Sequence, residues 1–179
     1  MTNPFLIEPL TAQHRRTGFF CGDAGLDRCL HERSAEPDSR PQASDCFVAL
    51  DNDGTIAGFY RLAAARLSLS ELSDDERGSL PRDGSVPARR IGQLAVDRRF
   101  SGQGLAGALV MDAAFRSLQA EPVVFALIAD AGNELAASIY EHLGFARFKS
   151  RPTTLFIPIE TVLRAARAPR ASVVPSARR

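Results

Sequence analysis

The chain has 179 residues, 45% of them hydrophobic and 24% charged, which fits one globular domain and excludes a disordered or fibrous protein. No apolar run approaches the 18 or so residues of a membrane helix, and Met1-Thr2-Asn3-Pro4-Phe5 lacks a secretory signal's basic start and apolar centre. No membrane partner is expected, and the three cysteines (Cys21, Cys29, Cys46), odd in number and without CxxC spacing, argue against disulfides and metal and for a reducing cytoplasm.

The net charge of +1 is unevenly placed, since all 21 acids lie at or before Glu160 and Arg164, Arg167, Arg170, Arg178 and Arg179 follow it. This divides the chain into one domain over residues 1–163 and a basic tail over 164–179. From Pro169 the tail is too poor in bulky residues to be buried, and it is expected to be disordered.

In chain order, residues 5–12 read as a first strand. Asp23 then reads as the N-cap of a helix running to about Ala35, with Leu26, Cys29 and Leu30 at helical spacing. Cys46–Leu50 and Thr55–Leu67 form a hairpin about the turn Asp51-Asn52-Asp53-Gly54. Residues 68–88, with four Gly or Pro, read as a surface excursion with one short helical turn near 70–78. Arg90–Val96 is a strand and Asp97–Gly104 a loop. Leu105–Ala120 is a helix whose inner face is read as Leu105, Ala108, Met111, Phe115 and Leu118. Val123–Ala129 reads as a strand covered on both faces, Asn133–Leu143 as a helix stopped at Gly144, and Thr153–Ile159 as the last strand. The fold class is α/β (α+β), a mixed central sheet with helices on both faces.

The chemistry concentrates in Arg99-Phe100-Ser101-Gly102-Gln103-Gly104-Leu105-Ala106-Gly107, between a strand and a helix. Gly102-x-Gly104-x-x-Gly107 matches a dinucleotide fingerprint. However, Asp97–Ser101 intervene after the strand, and too little chain follows for a doubly wound sheet. The physical content survives: main-chain amides from Phe100 to Ala106, ahead of a helix dipole, make a phosphate or diphosphate site.

Arg99-x-x-Gly102-x-Gly104 after Leu94-Ala95-Val96 resembles the coenzyme A loop of the GNAT superfamily of N-acetyltransferases. Asn133-x-x-Ala136-x-x-x-Tyr140-x-x-x-Gly144-Phe145 resembles that superfamily's second signature. Four further stretches are similar to the GNAT toxins that acetylate the α-amino group of aminoacyl-tRNA and are paired with ribbon–helix–helix antitoxins. They are Phe20-Cys21-Gly22-Asp23-x-x-Leu26-Asp27, Gly58-Phe59-Tyr60-x-Leu62, Ile91-Gly92-x-Leu94-Ala95-Val96-Asp97-Arg98-Arg99 and Leu155-Phe156-Ile157-Pro158-Ile159.

The resemblance implies acetyl-CoA as co-substrate, with no metal. Coenzyme contacts would come from Leu94, Ala95 and Val96, from Arg99, Phe100, Ser101, Gly102, Gln103, Gly104, Leu105 and Ala106, and from Asn133, which either bonds pantetheine or caps its helix. Tyr140 falls where the signature places the general acid, and a phenol is protonated at neutral pH. The stretch Arg90-Ile91-Gly92-Gln93-Leu94 lacks the glutamate that many lysine-acetylating members use as base, and Gln93 cannot take a proton. An α-amine, with a pKa near 7.7–8.0 against about 10.4 for lysine, needs such a base less.

The implied partners are aminoacyl-tRNA and an antitoxin, and the reading allows a homodimer. Arg89, Arg90, Arg98, Lys149 and Arg151 are the candidates for tRNA phosphates, with Arg147 beside them. Two other readings stand beside the toxin: a housekeeping enzyme acetylating a small amine or protein N-terminus, and a non-catalytic domain that binds coenzyme A.

Overall fold

The computed structural model describes residues 5–32, 45–78, 80, 82–120 and 123–167. Strands β1 (Leu6–Pro9), β2 (Asp45–Leu50), β3 (Ile56–Ser68), β4 (Ser85–Val96), β5 (Ala126–Asp130), β6 (Ala146–Arg147) and β7 (Thr154–Pro158) form one sheet in the order β1-β2-β3-β4-β5-β7-β6. The pair β4–β5 is parallel and every other pair antiparallel. The helices are α1 (Ala24–His31), α2 (Asp74–Arg77), α3 (Leu105–Leu118), α4 (Glu134–His142) and α5 (Ile159–Arg167), with 3-10 turns at Leu69–Glu71 and Arg98–Phe100.

The period of two along the strands sorts the core onto two faces. Tyr60, Leu62, Leu127 and Ala129 turn toward α3, α4 and α5, whose Leu109, Ala113, Ala137, Tyr140 and Val162 join them in one cluster. Phe59 and Ala95 turn the other way and meet Phe19 and Leu30 beside α1. Farther along that second face, Ala126, Ile128 and Phe156 pack under Leu67, Leu69, Leu72 and Phe148.

Most elements lie where the sequence places them. Asp23 caps α1 through the amides of Gly25 and Leu26, and the Asp51 carboxylate accepts from Asp53 and Thr55 in the hairpin turn. The first helix ends at His31, and the expected continuation to Ala35 runs into residues 33–44, outside the described residues. The excursion is shorter than expected, because β4 begins at Ser85 and pairs with β3 as far as Ser68. The ladder thus recruits a Pro-containing stretch that propensity assigns to loop. Strand β5 begins at Ala126 instead of Val123, which is 75% exposed.

The inner face of α3 also differs. Leu109, Val110, Ala113, Ala114 and Ser117 are buried with Leu105, while Phe115 is 50% and Leu118 39% exposed. A helix apolar nearly all round leaves the choice of face to packing, and here small residues win because they let α3 approach the sheet. Gly58 of β3 marks that approach: a Cβ there would lie 3.0 Å from the Ala95 carbonyl oxygen and 3.2 Å from both Leu105 Cδ2 and Leu109 Cδ1. The last strand leads directly into α5, which buries Ile159 and Val162 and holds Arg164 and Arg167, two arginines of the expected tail. Residues 168–179 lie outside the described residues.

Candidate active site

Helix α3 starts without a side-chain cap. Asp23, Ser73 and Asn133 accept hydrogen bonds from the first turns of α1, α2 and α4, but α3 begins at Gly104, in the left-handed region with φ +77°, with no capping side chain among the described residues. Gly102 has φ +76°. At both glycines a Cβ would meet nothing within 4 Å, so their conformation and not crowding requires glycine. The first intrahelical bond here runs from the Ala108 amide to the Gly104 carbonyl, so the amides of Leu105, Ala106 and Gly107 point outward along the dipole.

The donor set is narrower than the sequence implies. The Arg99 amide donates to Asp97 Oδ1, Phe100 to the Asp97 carbonyl and Ser101 to the Arg98 carbonyl, closing a 3-10 turn. The Arg99 guanidinium is also taken, by both Asp97 oxygens at 2.9 Å and by the Gly18 carbonyl. Arg99, Phe100 and Ser101 therefore build the turn, and the amides left without a partner among the described residues belong to 102–107. Asp97 is 1% exposed; burial works to raise its pKa, but bonds from Arg99 and the Phe20 amide outweigh that and hold it below the ordinary carboxylate range.

The sheet forks beside this turn. Strand β4 pairs with β5 only from Ala88↔Ala126 to Ile91↔Ala129, yet pairs with β3 through Val96. The Asp97 amide bonds to the Ala57 carbonyl on the β3 side, so alternation turns the main-chain groups of Ala95 toward β3 and those of Leu94 and Val96 toward the side β5 has left. Leu94 and Val96 can thus bond an extended ligand in the fork. Ala95, expected among the coenzyme contacts, instead packs its side chain on the α1 side.

Tyr140 sits on α4, buried at 6% exposure and edge-on to Phe145 at 5.1 Å. Burial raises its pKa above that of an ordinary phenol, and the negative charge of Asp130 raises it further. Its hydroxyl has no hydrogen-bond partner among the described residues, whereas that of Tyr60, the other tyrosine, donates to Asp112 at 2.6 Å. Leu143, one turn beyond Tyr140, lies 3.4 Å from where a Cβ of Gly107 would be, which sets this end of α4 against the first turn of α3. Asn133 caps α4 through the Ala136 amide at 2.8 Å, so capping is the role its oxygen fills.

The candidate tRNA ligands divide. Arg90 pairs with Asp130 at 2.6 Å, Arg151 with Glu71 at 2.9 Å, and Arg147 with both Glu134 and Glu141. Arg98 lies over the Phe20 ring and against Gly22. Arg89 and Lys149 have no ion-pair partner among the described residues, and Arg89 lines, with Arg66, a groove of about 450 Å³ that the paired far ends of β3 and β4 form with Ala120 and Val124. Gln93 accepts a bond from Arg61 at 3.1 Å, a pairing across the β3–β4 bulge that leaves no local mark in the sequence. Among the described residues no group of three or more His, Cys, Asp or Glu is placed to hold a metal, and no helix is long and apolar enough to cross a membrane.

A strand that leaves its parallel neighbour after Ile91, an uncapped glycine turn beyond it and a helix bearing a buried tyrosine form the candidate site. The family model for the acetyltransferase (GNAT) domain matches residues 42–147, and the chain belongs to that family. Two relatives narrow the comparison. The chain is 30% identical over 168 residues to a protein named "Probable toxin TacT" from Sinorhizobium fredii, covering 88% of this chain and 92% of that protein. It is 32% identical over 143 residues to the "tRNA-acetylating toxin" of Mycobacterium tuberculosis, covering 79% of this chain and 84% of that one. Among solved structures, AtaT complexed with acetyl-methionyl-tRNAfMet superimposes with a TM-score of 0.77 at 24% identity, covering 90% of this chain and 99% of that chain. A mutant AtaT toxin bound to the C-terminus of the antitoxin AtaR gives 0.75 at 23% identity, covering 93% and 100%. These two likenesses establish the shared fold.

Proposed function

We propose that this protein is an acetyl-CoA-dependent N-acetyltransferase whose acceptor is the α-amino group of aminoacyl-tRNA. It acts in the cytoplasm as a toxin that blocks translation until a ribbon–helix–helix antitoxin binds it. The observation that carries the reading is the meeting of three features at one fork: the uncapped α3 turn, the main chain of Leu94 and Val96, and a Tyr140 hydroxyl with no partner among the described residues. The names of the relatives from Sinorhizobium fredii and Mycobacterium tuberculosis support the toxin and its tRNA substrate.

The residues present fit coenzyme A. Amides over 102–107 and the positive end of the α3 dipole suit a diphosphate, and glycines at 102 and 104 leave the backbone open to it. When bound, acetyl-CoA supplies an acetyl group activated as a thioester. The chain's own task is to hold it. Leu94 and Val96 offer main-chain bonds along the fork, and an amide there faces the carbonyl oxygen where charge develops. Tyr140 keeps its proton at neutral pH, because burial disfavours the phenolate, and donates it toward the departing sulfur. Arg89, Arg98 and Lys149, without acid partners among the described residues, are the cations available to tRNA phosphates.

The test incubates the protein with labelled acetyl-CoA and charged tRNA. Label on the amino group of the aminoacyl end supports the reading; a tRNA pool without it, alongside transfer to a small amine or protein N-terminus, replaces the toxin with a housekeeping enzyme.

A further inference from the structure

Between the core under α1 and the core under Leu69 and Phe148, the second face of the sheet carries polar side chains. Arg61 and Gln93 bond across the β3–β4 bulge, and Arg90 and Asp130 pair across the mouth of the fork. Asp130 is the last residue of β5, one step past the final β4–β5 ladder pair Ile91↔Ala129. Leu127 and Ala129 face α3 and α4, so alternation turns Asp130, like Ala126 and Ile128, to the opposite face. Its carboxylate is fixed by Arg90 Nη1 at 2.7 and 2.6 Å and by the Thr154 hydroxyl at 3.2 Å, yet the side chain stays 41% exposed.

We infer that Asp130 is the group that meets the acceptor amine and takes its proton during transfer. This rests on the acetyltransferase reading above. Tyr140 belongs to the α4 side of the sheet and Asp130 to the other, with the fork between them, so a thioester lying in the fork has a proton donor on one face and an anion on the other. That Asp130 bears on the Tyr140 phenol electrostatically agrees with this spacing. In the step, the lone pair of the neutral amine forms the N–C bond at the acetyl carbonyl carbon while the C–S bond breaks. The nitrogen, now cationic, passes one proton to the Asp130 carboxylate, and the sulfur takes one from the Tyr140 hydroxyl. Exchange with water resets both groups, leaving an acetamide and a free thiol. Arg90 fixes the Asp130 carboxylate in place through Nη1 at 2.7 and 2.6 Å and is itself a positioning residue. A carboxylate on β5 replaces the one that β4 lacks at Gln93.

Asp130→Asn keeps the shape and removes the charge. The expected result is a kcat on charged tRNA lower by roughly 10²-fold, as for loss of a positioned acid or base, with KM for acetyl-CoA within about twofold. Asp130→Glu is expected to recover part of that loss. A folded Asn variant turning over within threefold of the wild type overturns the assignment. If that variant melts before assay, Thr154→Val loosens the carboxylate without removing it; kcat reduced several-fold at unchanged KM for acetyl-CoA supports the assignment, and unchanged kcat overturns it. A wild type that transfers no acetyl to charged tRNA instead removes the function on which the inference rests.

Discussion

Deleting one oxygen from each of the two tyrosines separates fold from chemistry. Tyr60 and Tyr140 are both buried, and both phenols are raised by burial, but among the described residues only Tyr60 has a partner. Its hydroxyl donates to Asp112 at 2.6 Å; Arg116 holds the same carboxylate at 2.7 Å, reaches the Ile7 carbonyl and lies 4.1 Å over Phe47. This network ties α3 to β1, β2 and β3. A bond to a charged acceptor contributes about 1.5–3 kcal/mol, so Tyr60→Phe is expected to lose about 2 kcal/mol. For a domain of this size that lowers the melting temperature by roughly 4–8 °C, while kcat on charged tRNA stays within a few-fold. Tyr140→Phe removes a buried hydroxyl that bonds nothing among the described residues, so stability should hold within about 0.5 kcal/mol or rise slightly. Its kcat should fall by about 10²–10⁴. Denaturant melts and steady-state kinetics on both variants decide the matter. A Tyr140→Phe enzyme that keeps its turnover, or one that loses stability as Tyr60→Phe does, refutes the reasoning.

Three more outcomes follow from the geometry. Gly104→Ala forces an L side chain to φ +77° without a clash, so it should cost about 1–2 kcal/mol in stability and raise KM for acetyl-CoA, both measurable on one preparation. Gly58→Ala pushes Leu105 and Leu109 off the sheet; it should cost about 1–3 kcal/mol, and a neutral result in urea unfolding would contradict the close approach of α3. Asp97 has a folded pKa below its unfolded one, so its contribution is present in full at neutral pH and fades as pH falls from about 5 through the lowered value. Asp97→Asn should therefore be less stable than wild type at pH 7, with the gap narrowing at pH 4, as read from denaturant midpoints.

How far the sequence led depended on what kind of signal each feature leaves. The elements are set by short-range chemistry, such as the Asp23 cap and the Asp51–Gly54 turn, and these were legible, whereas Asn133 stood open between capping and pantetheine until the Ala136 bond was seen. The α3 inner face was not, because Leu105, Met111, Phe115 and Leu118 make as good an apolar stripe as Leu109, Ala113 and Ala114. Only the distance to Gly58 chooses between them. At the site, the glycine turn and Tyr140 were visible as motifs. That Arg99, Phe100 and Ser101 spend their donors within the turn, and that Arg90 is held by Asp130 forty residues away, are facts of tertiary pairing with no local mark. The fork likewise exists only as the point where one ladder stops while its neighbour continues.

The proposed grip of the residue 102–107 amides on a diphosphate is the step on which acetyl-CoA binding turns. Calorimetric titration with acetyl-CoA, set against S-acetyl-pantetheine, which carries the same thioester arm without the diphosphate, tests this directly. Binding of acetyl-CoA at least about 100-fold tighter, a difference of about 2.7 kcal/mol, is the predicted result. Equal affinity for the two, or no heat with either, would contradict it.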